Sequence, residues 1–538
     1  MELNYATVVE AMADSLPDST CLVCGTQELS YAQFEQRAAR LAQCLADHGL
    51  GRESKVGLFL YNCSEYMEST LAAHKLRAIS VNVNYRYTGN ELVYLLQDCD
   101  AEALVFHSSL ADRVSEIRDQ LPGLKLIIRV DDGGGTVDGA LEYAEILQSV
   151  PPAPRIERSP EDTLMLYTGG TTGMPKGVEY NIGDMLTTFT QMMPAILGIQ
   201  TPTSLEELVS QALERAESSD SLVSLPASPL MHTAAIVNSG IQAQVFGGAM
   251  VILQSRSFDP RELWQAVQAH RVNHMVVVGD TFIKPMLQVI EEDSARGIEY
   301  DLTSLKLIVS SGVMFSRESK EKLLELGDMI IMDGAGASEG GMAIQLSSRE
   351  NPPTDTGQFL ALPTTEIFNE RYEKLPRGCG EVGLIGMGGN LPRGYYKDPE
   401  KTAKTFRTID GARWGFTGDM GSIDENGLLT FMGRGSNCIN TGGEKVFPEE
   451  VEEIIKLHPQ VIDCLVVGLP DDRFGQSVAA VVSLRSSLEK PKDTLLEFAS
   501  AHLARYKLPR TVNVVNEVKR APNGKADYKW ARECFDHE

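Results

Sequence analysis

Apolar positions along Tyr31-Ala-Gln-Phe-Glu-Gln-Arg-Ala-Ala-Arg-Leu-Ala-Gln-Cys-Leu45 recur every three or four residues, and that spacing predicts a helix with one buried face. Three other stretches are short, nearly continuous apolar runs: Lys55-Val-Gly-Leu-Phe-Leu60, Glu102-Ala-Leu-Val-Phe106 and Leu124-Lys-Leu-Ile-Ile-Arg-Val130. Runs of this length read as buried strands. Helical and strand patterns alternate through most of the chain, which favours an α/β fold with largely parallel sheets. There is no repeat of fixed period and no long low-complexity tract. The proline-containing stretch Val150-Pro-Pro-Ala-Pro-Arg-Ile-Glu-Arg-Ser-Pro160 punctuates the pattern. Further on, Thr203-Ser-Leu-Glu-Glu-Leu-Val-Ser-Gln-Ala-Leu-Glu-Arg-Ala216 predicts a short surface helix, capped by Ser204 and with Glu206 and Glu207 in its first turn. The expectation there is a solvated insertion, with a lid over the substrate mouth as the alternative.

Composition narrows the class. The 538 residues suffice for two to four domains, and 43% hydrophobic with 23% charged is ordinary for a globular protein. The formal charge of −25 argues against nucleic acid or an anionic membrane as the main partner. That charge is unevenly spread: Gly435 to Glu538 holds 14 basic and 16 acidic residues, so the near-neutral C-terminal segment is a place to look for anion binding. The N-terminus lacks the basic and apolar regions of a signal peptide, and no uncharged apolar run approaches the roughly 18 residues of a membrane span. Cys21 and Cys24 form one C-x2-C without a second pair, so they read as strand residues and not as a zinc site. The expected location is the cytoplasm.

Candidate chemistry begins at Leu166-Tyr-Thr-Gly-Gly-Thr-Thr-Gly-Met-Pro-Lys-Gly-Val178. Glycines let backbone N–H groups approach phosphate oxygens, hydroxyls add donors and lysine adds charge. The order is not that of a Walker loop, because Pro175 precedes Lys176 and Gly177 follows it where Ser or Thr is required. Four more elements follow: Gly336-Ala-Ser-Glu-Gly340, Trp414-Gly-Phe-Thr-Gly-Asp419, Gly433-Arg434 running on to Thr441-Gly-Gly-Glu-Lys-Val-Phe-Pro-Glu-Glu-Val451, and Pro522-Asn-Gly-Lys525. In this order, with matching context from near residue 5 to near residue 535, the set resembles the adenylate-forming superfamily of acyl-CoA synthetases, luciferases and peptide-synthetase adenylation domains.

The resemblance implies a large N-terminal domain of layered α/β subdomains, residues 1–434, and a small mobile α+β domain, 435–538, carrying a catalytic lysine. It implies that a carboxylate attacks the α-phosphorus of ATP to give an acyl-adenylate and pyrophosphate, after which the thiol of CoA displaces AMP. Positioning and electrostatic stabilisation carry such a reaction, with no protein nucleophile. By resemblance, Thr168, Gly169, Gly170, Thr171, Thr172, Gly173 and Lys176 grip the phosphates, and Glu339 beside Ser338 binds Mg2+. Asp419 and Arg434 hold the ribose. Asp333 accepts from the adenine amino group, and Gly312 belongs to the segment between adenine and acyl group. Lys525 bridges carboxylate and α-phosphate, then leaves as the small domain rotates. Gly442 and Gly443 pass beside the pantetheine arm, and Arg473 holds CoA phosphates.

Two departures stand out: Ala335 replaces the common aromatic residue beside the adenine, and Ser436 replaces the usual Asp or Lys of the hinge. For the acid, His232, Val313 and Met314 are expected at the acyl pocket, whose apolar character suits a fatty or alicyclic acid. Several stretches look especially like the acyl-CoA ligases of bacterial sterol side-chain degradation, Gly394-Tyr-Tyr-Lys-Asp-Pro-Glu-Lys-Thr-Ala-Lys-Thr-Phe406 among them. The rival readings are an acyl-AMP ligase serving a carrier-protein thiol, a luciferase-like oxygenase and a regulatory protein that has lost its chemistry. A homodimer is an expectation from relatives alone.

Overall fold

The computed structural model describes residues 2–168, 175–441, 444–471, 475–520 and 526–535. Among them the strands form four sheets. In a five-stranded sheet, Ile79–Asn82, Lys55–Phe59, Ala101–His107, Leu126–Val130 and Leu141–Glu142 all run parallel. Val56, Leu58, Leu104, Val105 and Ile128 are almost wholly buried, which is why these strands read as unbroken apolar runs and not as alternations. The predicted helix is Tyr31–Asp47. Its start is fixed by a capping box: Ser30 Oγ accepts from the Gln33 amide and Gln33 Oε1 accepts from the Ser30 amide at 2.9 Å.

A fifteen-stranded sheet crosses the molecule. After the antiparallel edge strand Gln27–Ser30, six strands, Thr20–Cys24, Ala249–Ile252, Val223–Pro226, His274–Val277, Leu307–Ser311 and Ile330–Ala337, pair in parallel. At the hairpin of Ile330–Ala337 with Gly340–Ser347 the pairing becomes antiparallel, and it stays so through Gln358–Ala361, Leu428–Arg434 and Asp419–Ile423. A three-stranded antiparallel sheet holds Thr163–Thr168, Lys176–Asn181 and Gly394–Tyr395. The last sheet, built from strands between Ile439 and Val515, has its own apolar core of Val451, Ile455, Val466, Val478 and Val482. Helix Pro448–Lys456 packs on that sheet and also on strand Leu428–Arg434 of the large sheet, joining the smaller C-terminal domain to the larger one.

The insertion differs from its expectation. Ser204 does cap helix Leu205–Glu217, accepting from the Glu207 amide at 3.2 Å. But Leu208 and Ala212 are buried against the first helix, Tyr5–Ser15, so this is a packed element. A Cβ on Gly247 would lie 2.6 Å from the Ala212 methyl, a measure of how closely the helix is seated. Cys21 and Cys24 are buried in strand Thr20–Cys24, and burial pushes the Cys24 thiol up to about 11. Among the described residues no helix is long and apolar enough to cross a membrane.

Candidate active site

A cavity of about 1330 Å3 opens at the carboxyl ends of the central parallel strands, the usual place for a ligand in an α/β sheet. Ser310, Ser311 and Gly312 leave strand Leu307–Ser311 at its rim, and Gly334 to Ser338 line it from the next strand. The hairpin turn that follows presents Ser338 and Glu339. Only a residue without a side chain fits its inner strand: a Cβ on Gly336 would lie 2.9 Å from the Gly340 carbonyl oxygen. Two phenols fix the turn. Tyr180 Oη donates to the Ser338 carbonyl and Tyr395 Oη donates to Glu339 Oε1. No element of 200–224 lines the cavity, so the lid alternative for the insertion falls.

Strands Thr163–Thr168 and Lys176–Asn181 form the arms of the phosphate-loop hairpin, with Thr168 directly opposite Lys176. Gly169, Gly170, Thr171, Thr172 and Gly173 lie outside the described residues; Thr168 and Pro175 on either side line the cavity. Lys176 Nζ lies 2.9 Å from Asp398 Oδ2, and the hydrogen bond with that carboxylate raises the Lys176 pKa. Asp398 also caps helix Pro399–Thr405 through the Lys401 amide at 2.9 Å. Lys401 sits 4.2 Å over the Tyr395 ring, its pKa lowered first by burial and then by the nearby Lys176 charge. Two ammonium groups are thus gathered beside the loop, with the Asp398 and Glu339 carboxylates close to them.

Other expected residues are placed differently. Asp333 does not line the cavity. It is buried, and Lys320 Nζ donates to its Oδ2 at 2.6 Å. Lys320 itself is buried and also reaches Gln345 Oε1 at 2.5 Å. Burial pushes the Asp333 carboxyl up, against the pull of the Lys320 ammonium. Its place beneath the hairpin makes it a strut of the strand. Asp419 is buried, accepts from Thr417 Oγ1 at 2.5 Å and stands opposite Arg434 across antiparallel strands. The Arg434 side chain lies outside the described set.

His232 lines the cavity, whereas Val313 and Met314 do not; their carbonyls pack against the start of helix Gly279–Ser294, where a Cβ on Gly279 would lie 2.3 Å from the Met314 oxygen. The apolar wall comes instead from Met185, Phe189 and Met192 on helix Ile182–Leu197, with Val237 facing the same space. Spacing of 185, 189 and 192 is one helix face, a pattern legible in the sequence but indistinguishable there from ordinary core. Gly442, Gly443, Arg473 and Lys525 lie outside the described residues, while Ala526 and Asp527, immediately after Lys525, line the cavity. Tyr180, Tyr395, Asp398, Lys401 and Lys320 were not singled out by sequence reasoning. Gly394-Tyr-Tyr-Lys-Asp-Pro399 was the nearest signal.

Known proteins agree with this arrangement. Residues 9–396 match the AMP-binding enzyme family, and residues 450–525 match the AMP-binding enzyme C-terminal domain. The 3-oxocholest-4-en-26-oate–CoA ligase of Rhodococcus rhodochrous is 38% identical over 540 residues, covering 99% of this chain and 96% of that protein. A medium/long-chain-fatty-acid–CoA/3-oxocholest-4-en-26-oate–CoA ligase of Mycolicibacterium smegmatis is 38% identical over 542 residues, covering 100% and 97%. Among solved structures, the anthranilate CoA ligase AuaEII in complex with anthranoyl-AMP superposes with a TM-score of 0.85 at 22% identity, covering 99% of this chain and 98% of that one. ATP-bound MatB from Rhodopseudomonas palustris gives 0.81 at 24% identity, covering 99% of each, and both likenesses speak to the fold. With the phosphate-loop arms, the glutamate hairpin and the C-terminal segment meeting at one cavity, the chain belongs to the AMP-binding, adenylate-forming family as an acyl-CoA synthetase.

Proposed function

We propose that the protein is an ATP-dependent acid–CoA ligase acting on a steroid side-chain acid or a medium- to long-chain fatty acid. The observation that carries this reading is the continuity of the cavity. One space runs from the phosphate-loop arms and the Ser338–Glu339 turn to the apolar wall of Met185, Phe189 and Met192. Phosphates and a hydrocarbon body then lie in one chamber, which is what attack of a carboxylate on the α-phosphate requires. The two full-length relatives named for steroid and fatty acids support the acid class.

In this reading Thr168 through Gly173, with Lys176, hold the β- and γ-phosphates. Lys525 bridges the carboxylate and the α-phosphate and offsets the charge that builds there in the transition state. Asp419 and Arg434 hold the ribose, Gly312 passes between adenine and acyl group, and His232 lines the acyl pocket. Gly442, Gly443 and Arg473 receive CoA once the small domain, divided from the large one at residues 434/435, has turned. Among the described residues no three metal-binding side chains cluster. Mg2+ is commonly held by one or two carboxylates plus phosphate oxygens and water, so Glu339 fits as the one carboxylate, oriented by Tyr395. The ion would supply charge neutralisation on the phosphates.

The test is mass spectrometry of products after incubation with ATP, Mg2+, CoA and a pool of short-, medium- and long-chain acids and steroid side-chain acids. A CoA thioester of a long-chain or steroid acid, formed with AMP, is the expected result. Adenylate accumulating without thioester would favour a carrier-protein thiol as acceptor, and the absence of any ATP-dependent product would defeat the reading.

A further inference from the structure

Two segments that meet at the cavity are tied to one side chain. Asn82 is the last residue of Ile79–Asn82, the edge strand of the five-stranded sheet, and it lines the cavity. Asn82 Oδ1 accepts from the Tyr167 amide at 2.8 Å, while Nδ2 donates to the Tyr167 carbonyl at 2.8 Å and to the Met231 carbonyl at 2.7 Å. The pair with Tyr167 is reciprocal, as between two strand residues, and it closes the outer side of Thr163–Thr168, an edge strand of the three-stranded sheet. Both N–H groups of the side chain are used. Only a carboxamide offers one acceptor with two donors, and that of glutamine would sit a methylene further out.

Each anchor lies one residue before a functional segment. Tyr167 precedes Thr168, where the phosphate loop begins, and Met231 precedes His232; Thr168 and His232 both line the cavity. Elsewhere the two segments are held from different places. Tyr167 Oη donates to Asp98 Oδ2 at 2.6 Å, and a Cβ on Gly177 would lie 2.8 Å from Tyr167 Cε2, so the ring packs on the returning strand Lys176–Asn181. In the other segment the Leu230 amide donates to Asn62 Oδ1 at 2.8 Å, and the His232 amide donates to the Pro229 carbonyl at 2.9 Å. Tyr167 and Met231 share one apolar cluster, but apolar packing is non-directional, and it is the Asn82 carboxamide that sets their backbones against each other.

We propose that Asn82 is a positioning residue for adenylate formation: by holding the backbone at both Tyr167 and Met231, it fixes the phosphate-loop arm relative to the acyl segment. The proposal rests on the ligase reading above and adds a residue to it. In that reading one segment holds the phosphates of ATP and the other borders the acid. Reacting atoms must stand about 3–3.5 Å apart, and a displacement of about 1 Å from a change remote from the chemistry can cost roughly 100-fold. The loss falls on kcat of the adenylation step, because Asn82 acts on the spacing of two bound substrates and not on the grip of either.

The experiment follows adenylation by ATP–pyrophosphate exchange, with Mg2+ and the acid turned over best in the product screen. Wild type, Asn82→Asp and Asn82→Ala are compared between about pH 5.5 and pH 8, with urea midpoints taken on each. The ionised carboxylate of Asn82→Asp offers no donor and sets a charge against two carbonyl oxygens, whereas its protonated form accepts from the Tyr167 amide and donates to a carbonyl. Partial burial and the facing carbonyls raise the pKa of such a carboxyl, so the exchange of forms falls within the range tested. Relative to the wild type at the same pH, Asn82→Asp is expected to lose roughly 100-fold in kcat at pH 8 and to regain about tenfold of that at pH 5.5. KM for ATP and for the acid should stay within about threefold, and the loss in Asn82→Ala should not vary with pH. Conversion of supplied acyl-adenylate and CoA to thioester should be spared in both variants. Near-wild-type exchange by Asn82→Asp at pH 8, a loss in that variant without pH dependence, or equal loss of both half-reactions overturns the proposal. Failure of both variants to fold overturns it as well, since the residue would then be structural alone. No exchange by the wild type with any acid would instead defeat the ligase reading itself.

Discussion

Replacing Lys320 with methionine removes the ammonium that sits 2.6 Å from Asp333 while keeping most of the buried stem. The two side chains are 2% and 5% exposed, so the pair is screened little by solvent, and breaking such a pair from one side typically costs about 3–5 kcal/mol. Gln345 loses a partner as well, although it keeps its bonds to Thr354 at 2.5 Å and to the Gln358 carbonyl at 2.9 Å. The orphaned Asp333 can escape part of the cost by taking up a proton, because burial already pushes its carboxyl upward. The loss in Lys320→Met should therefore be larger at pH 8 than at pH 5.5. Adding Asp333→Asn removes the buried charge and should restore roughly half of the loss at pH 8. Urea midpoints for the wild type, both single variants and the double variant measure this, and KM for ATP is read alongside. We expect the double variant to bind ATP within about twofold of the wild type. A double variant as unstable as the summed singles, or a KM for ATP raised tenfold or more, would refute the assignment of Asp333 as a strut and return it to the adenine.

Three further outcomes follow from the site and the domain contact. Lys525→Ala should abolish adenylate formation yet still convert supplied acyl-adenylate and CoA to thioester; equal loss of both half-reactions would contradict a lysine that serves only the first. Asp398→Ala removes a helix cap and the partner of Lys176, and should raise KM for ATP several-fold with a stability loss of about 1 kcal/mol, read by steady-state kinetics and denaturation. Glu453 lies against Gly357 at the contact between the domains, and burial pushes its carboxyl up to about 7, with Lys456, Glu452 and Glu450 of its own helix and Lys320 of the large domain as the charges around it. A folded pKa above the unfolded one means stability is fully present below about pH 4.5 and is lost as pH rises through 7. Glu453→Gln should thus gain on the wild type between pH 5 and pH 8, by about 3 kcal/mol at most, and a difference that does not vary with pH would show the carboxyl to be solvated.

The sequence carried the parallel strands because their burial on both faces leaves continuous apolar runs, and it carried the capping of Tyr31–Asp47 and Leu205–Glu217 because caps are local. It did not show that Leu208 and Ala212 would find Tyr5–Ser15, since an amphipathic helix does not name its partner. The motif residues were legible as types and order: Thr168, Gly312, Ser338 and His232 line the cavity, and Lys176 stands directly opposite Thr168 in the hairpin. The roles that depend on partners were not. Asp333 looks like a free acceptor until Lys320, thirteen positions earlier, is brought beneath it. Val313 and Met314 sit in the expected segment, but the chain direction there turns their carbonyls toward Gly279.

The pairing of Thr20–Cys24 with Ala249–Ile252 has a consequence for how the protein is made. The first strand emerges from the ribosome more than two hundred residues before its parallel neighbour exists. At roughly 5–20 residues per second that interval lasts on the order of ten to fifty seconds. Throughout it one side of the strand has no ladder to join, and Cys21 and Cys24, inert once packed, are accessible thiols on an unfinished edge. Oxidants or covalent thiol reagents present during synthesis should therefore harm the yield of this enzyme far more than they harm the finished molecule.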